Sequence, residues 1–193
     1  EINIKARGHD HVDVAEAIDN MGVVLLKQGM FAEALEKHEE ALEMRIRLLG
    51  QTHVDVATTI DNIGVVLMKK GMFAQALEKH EVALEIRVSK LGQTHVDVAT
   101  TIDNVGVVHM AQGKFAEALD KHRQALDIRV SKLGHDHVDV AATHYNMALV
   151  MEKQGDVQAA LQGAVQAHDI WKRQLGDSHP HTQYADGMVR RLG

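Results

Sequence analysis

Ile60, Ile63, Gly64 and Leu67 fall at i, i+3, i+4 and i+7, an apolar stripe of helical period. Upstream, Thr52 with Asp55 three residues later reads as a capping box, and Asp10/Asp13, Thr94/Asp97 and Asp136/Asp139 repeat the signal. Gly71 follows the stripe as the residue best suited to the left-handed conformation that ends a helix, matched by Gly29, Gly113 and Gly155. A second helix is predicted from about Phe73 to Leu91, with Ala76, Leu77, His80, Ala83, Leu84, Ile86 and Val88 on or near its buried side and Gly92 as its stop. The two helices form an antiparallel pair, with Gly64 set against Ala76 and Ala83 where the backbones approach closely.

The pattern is copied along the chain. Leu49-Gly50, Leu91-Gly92, Leu133-Gly134 and Leu175-Gly176 recur at 92 − 50 = 42 residues, and 30 of 42 positions are identical between residues 53–94 and 95–136. The boundaries that follow are a remnant of a preceding unit (1–10), repeats at 11–52, 53–94, 95–136 and 137–178, and a terminal capping helix (179–193). Gly8 stands in the phase of Gly50, so the first residues are expected to be the tail of a repeat cut from a longer chain. One helix pair cannot bury both of its apolar faces, whereas stacked neighbours can. The predicted architecture is a single all-α array, an α-solenoid of antiparallel helix pairs.

Composition narrows the function. The 193 residues carry 21 basic and 27 acidic side chains, a formal charge of −6, which disfavours nucleic acid as a partner because phosphate binding needs a basic face. The longest apolar runs, such as Met147–Met151, are far too short to cross a bilayer, so no membrane role is expected. There is no Cys, serine occurs only at Ser89, Ser131 and Ser178, and no Gly-x-Ser-x-Gly or phosphate loop is present. The expectation is a cytoplasmic protein that is not an enzyme and has no cofactor.

These residues resemble the tetratricopeptide repeat. The resemblance lies in the small residue of the first helix (Gly22, Gly64, Gly106, Ala148), the Gly before the second helix, and the paired alanines Ala34/Ala41, Ala76/Ala83, Ala118/Ala125 and Ala160/Ala167. The 42-residue period, with His53-x-Asp55-Val56-Ala57-Thr58-Thr59-Ile60, Gly71-x-Phe73-x-x-Ala76 and Ala83-Leu84-Glu85-Ile86-Arg87, is similar to the kinesin light chain subtype. His38, His80 and His122 stand where that family usually has an aromatic residue.

The resemblance implies that the α-solenoid is right-handed and that its first helices line a concave peptide-binding face. On this chain that face is Asp19, Asn20, Val23 and Lys27; Asp61, Asn62, Val65 and Lys69; Asp103, Asn104, Val107 and Met110; and Tyr145, Asn146, Leu149 and Lys153. The ladder Asn20, Asn62, Asn104, Asn146 fits two roles: pairing with successive peptide groups of an extended ligand, since an amide both donates and accepts, or holding carbonyls between repeats. Asp19, Asp61 and Asp103 oppose a carboxylate clamp. They suggest an acidic, partly apolar groove for an extended protein or peptide segment with basic and aliphatic side chains. The alternative is an end-to-end self-assembly unit, motivated by the near-identical repeats and by Val12, Ala15 and Met21 on an uncapped first repeat.

Fourteen histidines raise the question of metal. His9-Asp10-His11, His135-Asp136-His137 and His179-Pro180-His181 cluster ligand types in turns, but His53 and His95 hold the same phase alone, which favours local capping, and no metal is expected. His38, His80 and His122 read as packed interface residues. Ionising all fourteen would carry the formal charge from −6 to −6 + 14 = +8, so acid should weaken stacking or binding.

Overall fold

A histidine starts each first helix. In the computed structural model, which describes residues 11–193, His53 has extended backbone (φ −79°, ψ 148°) and its Nδ1 accepts the backbone N–H of Asp55 at 3.2 Å. His11, His95, His137 and His179 cap in the same way. The cap therefore lies one residue after Thr52, correcting the capping-box reading. An imidazole can offer one ring nitrogen to an orphan N–H of the first turn, and Asp55 then adds a negative charge beside the positive helix end.

The first helices are α1 (Val12–Lys27), α3 (Val54–Lys69), α5 (Val96–Ala111) and α7 (Val138–Gln154), and the second helices are α2 (Phe31–Leu49), α4 (Phe73–Leu91), α6 (Phe115–Leu133) and α8 (Val157–Leu175); α9 (Pro180–Leu192) follows. Gly71 (φ 77°) turns the chain between the helices of a pair, and Gly92 (φ 83°, ψ 159°) ends the second helix in a region that only glycine enters easily. Among the described residues there is no strand, and no helix is long and apolar enough to cross a membrane.

The chain divides into two compact units, one ending at Gln93 and the other beginning at Thr94. In the first, Val56, Ala57 and Ile60 of α3 pack against Ala83 of α4 on one side and Leu42 and Ile46 of α2 on the other. In the second, Val140 and Ala141 of α7 meet Leu126 and Val130 of α6 together with Ala167, Ile170 and Trp171 of α8. A first helix is thus wedged between its own second helix and the preceding one. Val56, Val66, Val140 and Val150 have no exposed surface, each worth about 1.5–3 kcal/mol of burial. Trp171 also stacks on His181 of α9, ring centroids 5.1 Å apart, while its indole N–H donates to the Val138 carbonyl at 3.1 Å.

The small residue of the first helix has a different neighbour from the one expected. A Cβ built on Gly64 would lie 2.7 Å from Cε1 of His80, and Gly22 and Gly106 face His38 and His122 in the same way. These glycines make room for a buried imidazole rather than for the alanines of the second helix. In the fourth repeat both members change, to Ala148 and Ala164, which pack in one cluster with Ala160 and Met188.

Gly64→Ala should therefore destabilise the protein by about 1–3 kcal/mol through overpacking. Combined with His80→Ala it should cost less than the two single changes added together, read as a coupling of more than about 0.5 kcal/mol in a denaturation double-mutant cycle.

Candidate functional site: the first-helix face and the polar network beneath it

Positions three, four and seven residues apart on a helix share a face. On α3 this places Asn62, Val65 and Lys69 in one row, and on α7 it places Asn146, Leu149 and Lys153 in the same order. The amide and aliphatic members are half-buried and both lysines are exposed. On α1, Asn20 and Lys27 are exposed and Val23 is half-buried; on α5, Asn104, Val107 and Met110 are all half-buried. Lys27, Lys69 and Lys153 are the exposed charges on these rows.

The aspartates of the face lie elsewhere. Asp19, Asp61 and Asp103 are only 4%, 4% and 6% exposed and point into the helix pair. Asp19 Oδ1 accepts from Nδ1 of His38 at 2.7 Å, and Oδ2 accepts from Nη1 of Arg45 at 3.1 Å. His80 and Arg87 hold Asp61 at 2.6 and 3.0 Å, and His122 and Arg129 hold Asp103 at 2.6 and 3.1 Å. Each carboxylate thus has a guanidinium of its own repeat as counter-charge, so these side chains do not form an acidic groove.

The ring nitrogen facing a carboxylate must carry the proton, because the carboxylate only accepts. Nε2 of His38 and of His122 has no hydrogen-bond partner and lies over Gly22 and Gly106. Burial alone pushes the Asp103 carboxyl up, but the His122 hydrogen bond and the charges of His122 and Arg129 together hold it below the ordinary value of 3.8.

The arginines carry the network into the next repeat. Arg45 Nη1 also donates to the Asp55 carbonyl at 3.0 Å and to the Thr59 hydroxyl at 2.5 Å on α3, and Arg129 does the same to Asp139 and Thr143 on α7, at 3.3 and 2.6 Å. A bond returns from the next first helix: Asn62 Nδ2 donates to Asp19 Oδ2 at 3.2 Å, and Asn146 Nδ2 donates to Asp103 Oδ2 at 3.1 Å. Of the two roles open to the Asn ladder, the link between repeats is present at these two positions, through a carboxylate rather than a carbonyl. His38, His80 and His122 are buried, each bonded to the aspartate of its own helix pair.

Tyr145 takes the aspartate's place in the fourth repeat. It is half-buried, its ring centroid is 5.6 Å from that of Trp171, and burial raises its hydroxyl pKa. Residues on second helices were absent from the sequence-derived face, and the signal for them was positional. Asp, His and Arg hold three 42-spaced columns through the first three repeats, and Tyr145, Ala164 and Trp171 replace all three at once.

Among the described residues no group of three His, Cys, Asp or Glu side chains could hold a metal ion. His9 and Asp10 of the first His-rich turn lie outside the described residues. Asp136 pairs with Arg173, and His137 and His179 are helix caps.

The tetratricopeptide repeat family profile matches at residues 1–47, 13–89, 55–129 and 97–173. No curated protein matches the chain. Among solved structures, BtubC (BKLC) from P. vanneervenii is 21% identical with a TM-score of 0.74 over 94% of this chain and 79% of its own. A kinesin light chain with nearly identical TPR-like repeats from Podosopora anserina gives 19% and 0.72, over 95% and 87%. The Rap conjugation gene regulator of plasmid pLS20, in complex with the Phr* peptide, gives 19% and 0.75, over 89% of this chain and 45% of its own. At these identities the likeness is one of fold.

A carboxyl held below its unfolded value stabilises the fold above that value and loses this contribution as pH falls through the folded one. Stability measured by denaturant titration should therefore fall as pH drops below 3.8, and Asp103→Asn should flatten that part of the profile while lowering stability at neutral pH.

Proposed function

The chain belongs to the tetratricopeptide repeat family, in the 42-residue form seen in kinesin light chain-like repeats, and from that premise we propose that it is a non-catalytic scaffold binding an extended peptide on the first-helix face. The observation that carries this reading is the row of amide, aliphatic and lysine positions left open on α3 and α7 above a buried, charge-balanced network. A fold-level neighbour, the Rap regulator, is seen with a bound peptide. Aliphatic selection rests on Val23, Val65, Val107 and Leu149. With Asp19, Asp61 and Asp103 neutralised by arginine and the lysines exposed, the preference for basic segments drops out of the proposal. The absence of chemistry is part of the same reading, since the Asp–His pairs are sealed within the helix pairs, and so is a cytoplasmic setting.

The test is an array of synthetic decapeptides probed with the full 193-residue chain. Peptides with an aliphatic residue at a fixed position should bind at about micromolar affinity. Val65→Asp and Val107→Asp should each weaken them about tenfold or more with an unchanged melting temperature. Binding indifferent to both substitutions would remove this face as the site.

A further inference from the structure

We propose that His144, Met147 and Met151 of α7 form a site for one soft monovalent metal ion, Cu(I), in the cavity between α7 and α8. The three side chains line a space of about 210 Å³ together with Gln162 and Gln166 of α8. Met147 follows His144 by three residues and Met151 follows Met147 by four, so all three share one side of the helix. Long side chains lean back over the preceding turn, which carries the Met151 thioether toward Met147 and the Met147 thioether toward His144.

The donors fit one class of ion. Thioether and imidazole are uncharged ligands that suit Cu(I), whereas calcium and magnesium take oxygen donors and zinc takes imidazole, thiolate or carboxylate. Among the described residues no carboxylate lines this cavity, and thioethers lie outside the His, Cys, Asp and Glu groups that form no metal triad. Burial, and after it the charge of His135, pushes the His144 imidazole below its ordinary value of 6.5. The ring is therefore neutral at neutral pH and keeps a lone pair for the ion. All three donors are half-buried, and a monovalent ion brings the least charge into such a place.

The other repeats lack the set. The same three positions hold Ile18, Met21 and Leu25 in the first repeat, Ile60, Ile63 and Leu67 in the second, and Ile102, Val105 and His109 in the third. Three donors coincide only in the fourth. Across the cavity, Glu36-Lys37, Glu78-Lys79 and Asp120-Lys121 of the earlier second helices become Gln162-Gly163. The lysine, half-buried at each earlier position, would repel a cation, and it is gone from the one pair that carries the donors. A Cβ on Gly163 would lie 3.1 Å from that of Ala148 and 3.2 Å from the His144 carbonyl oxygen, so no lysine fits there without moving α8 from α7.

The site is open to solvent. A second cavity of about 250 Å³ shares His144 and Gln166 and is bordered by exposed Asp136, Asp169 and Arg173. The two methionines also pack against Ala118, Leu119 and Val150, which restrains their sulfurs. At 3.6 residues per turn, Asn146, Leu149 and Lys153 project from the opposite side of α7, so the metal site is separate from the peptide face.

The experiment titrates the full 193-residue chain, methyl-labelled at methionine, with Cu(I) under anaerobic conditions and in parallel with Zn(II). The first equivalent of Cu(I) should shift the Met147 and Met151 methyl signals and the His144 ring signals before any of the other 9 − 2 = 7 methionines responds. Zn(II) should leave the two methyl signals in place. Met147→Leu and Met151→Leu nearly conserve volume, and His144→Ile restores the residue of the first three repeats. Each should weaken Cu(I) binding about tenfold or more, read by competition with bicinchoninate, while the metal-free protein stays folded. Uptake unchanged in the Met147→Leu/Met151→Leu double variant, or a first equivalent that leaves both methyl signals still, would overturn the site. Displacement of Cu(I) by equimolar Zn(II) would overturn its soft character. If a variant fails to fold, the methyl shifts of the unaltered protein still decide.

Discussion

A carboxylate removed from water has to be met by donors at both oxygens, and that requirement, imposed by Asp19, Asp61 and Asp103, organises each of the first three helix pairs. The donors come from the second helix. His38 and Arg45 lie seven residues apart, two turns along one face, and so reach the two oxygens of a single aspartate on the first helix. The imidazole then occupies the space where the helices would otherwise touch, and the first helix answers with Gly22. Arginine suits the second donor position better than lysine because several N–H groups radiate from one plane. One guanidinium can serve its own aspartate and the carbonyl and hydroxyl of the next repeat, as Arg45 and Arg129 do. Losing either partner of such a buried pair strands a charge, at a cost of about 3–5 kcal/mol.

The fourth repeat shows that the fold has an apolar solution to the same joint. Tyr145, Ala164 and Trp171 stand for Asp, His and Arg, Ala148 stands for the glycine, and the threonine that meets the arginine in the next first helix becomes Ala185. The indole fills the volume, and its single donor is used on the Val138 carbonyl. No part of the set is exchanged alone. A guanidinium facing Ala185, or an indole facing a buried aspartate, would leave a polar group unpaired at a cost of about 1–3 kcal/mol or more.

Helix positions, the glycine stops and the pairing within repeats were legible because they depend on period and backbone freedom, which one sequence displays. Phe73–Leu91 came out with its ends as expected. The helix starts were misplaced by one residue because histidine is an uncommon cap and Thr52 offered a commoner one. The larger miss concerned Asp61, which a helical wheel sets beside Asn62 and Val65 near the open side. Whether such a residue faces solvent or turns inward depends on what waits across the helix pair, and His80 and Arg87 lie 19 and 26 residues away. Reading the three columns together, rather than asking of each histidine whether it binds metal, would have joined them.

Stability alone does not favour the polar joint over the apolar one, since replacing a buried ion pair by well-packed apolar groups is often neutral or stabilising. The two versions differ in the surface they leave behind. Above the polar joint stands a half-buried amide, Asn62 or Asn146, tied down at its nitrogen; in the corresponding place above Tyr145 stands Met188, turned into the core. The polar version thus leaves on the first-helix face an amide bonded to the carboxylate of the preceding repeat, at Asn62 and at Asn146.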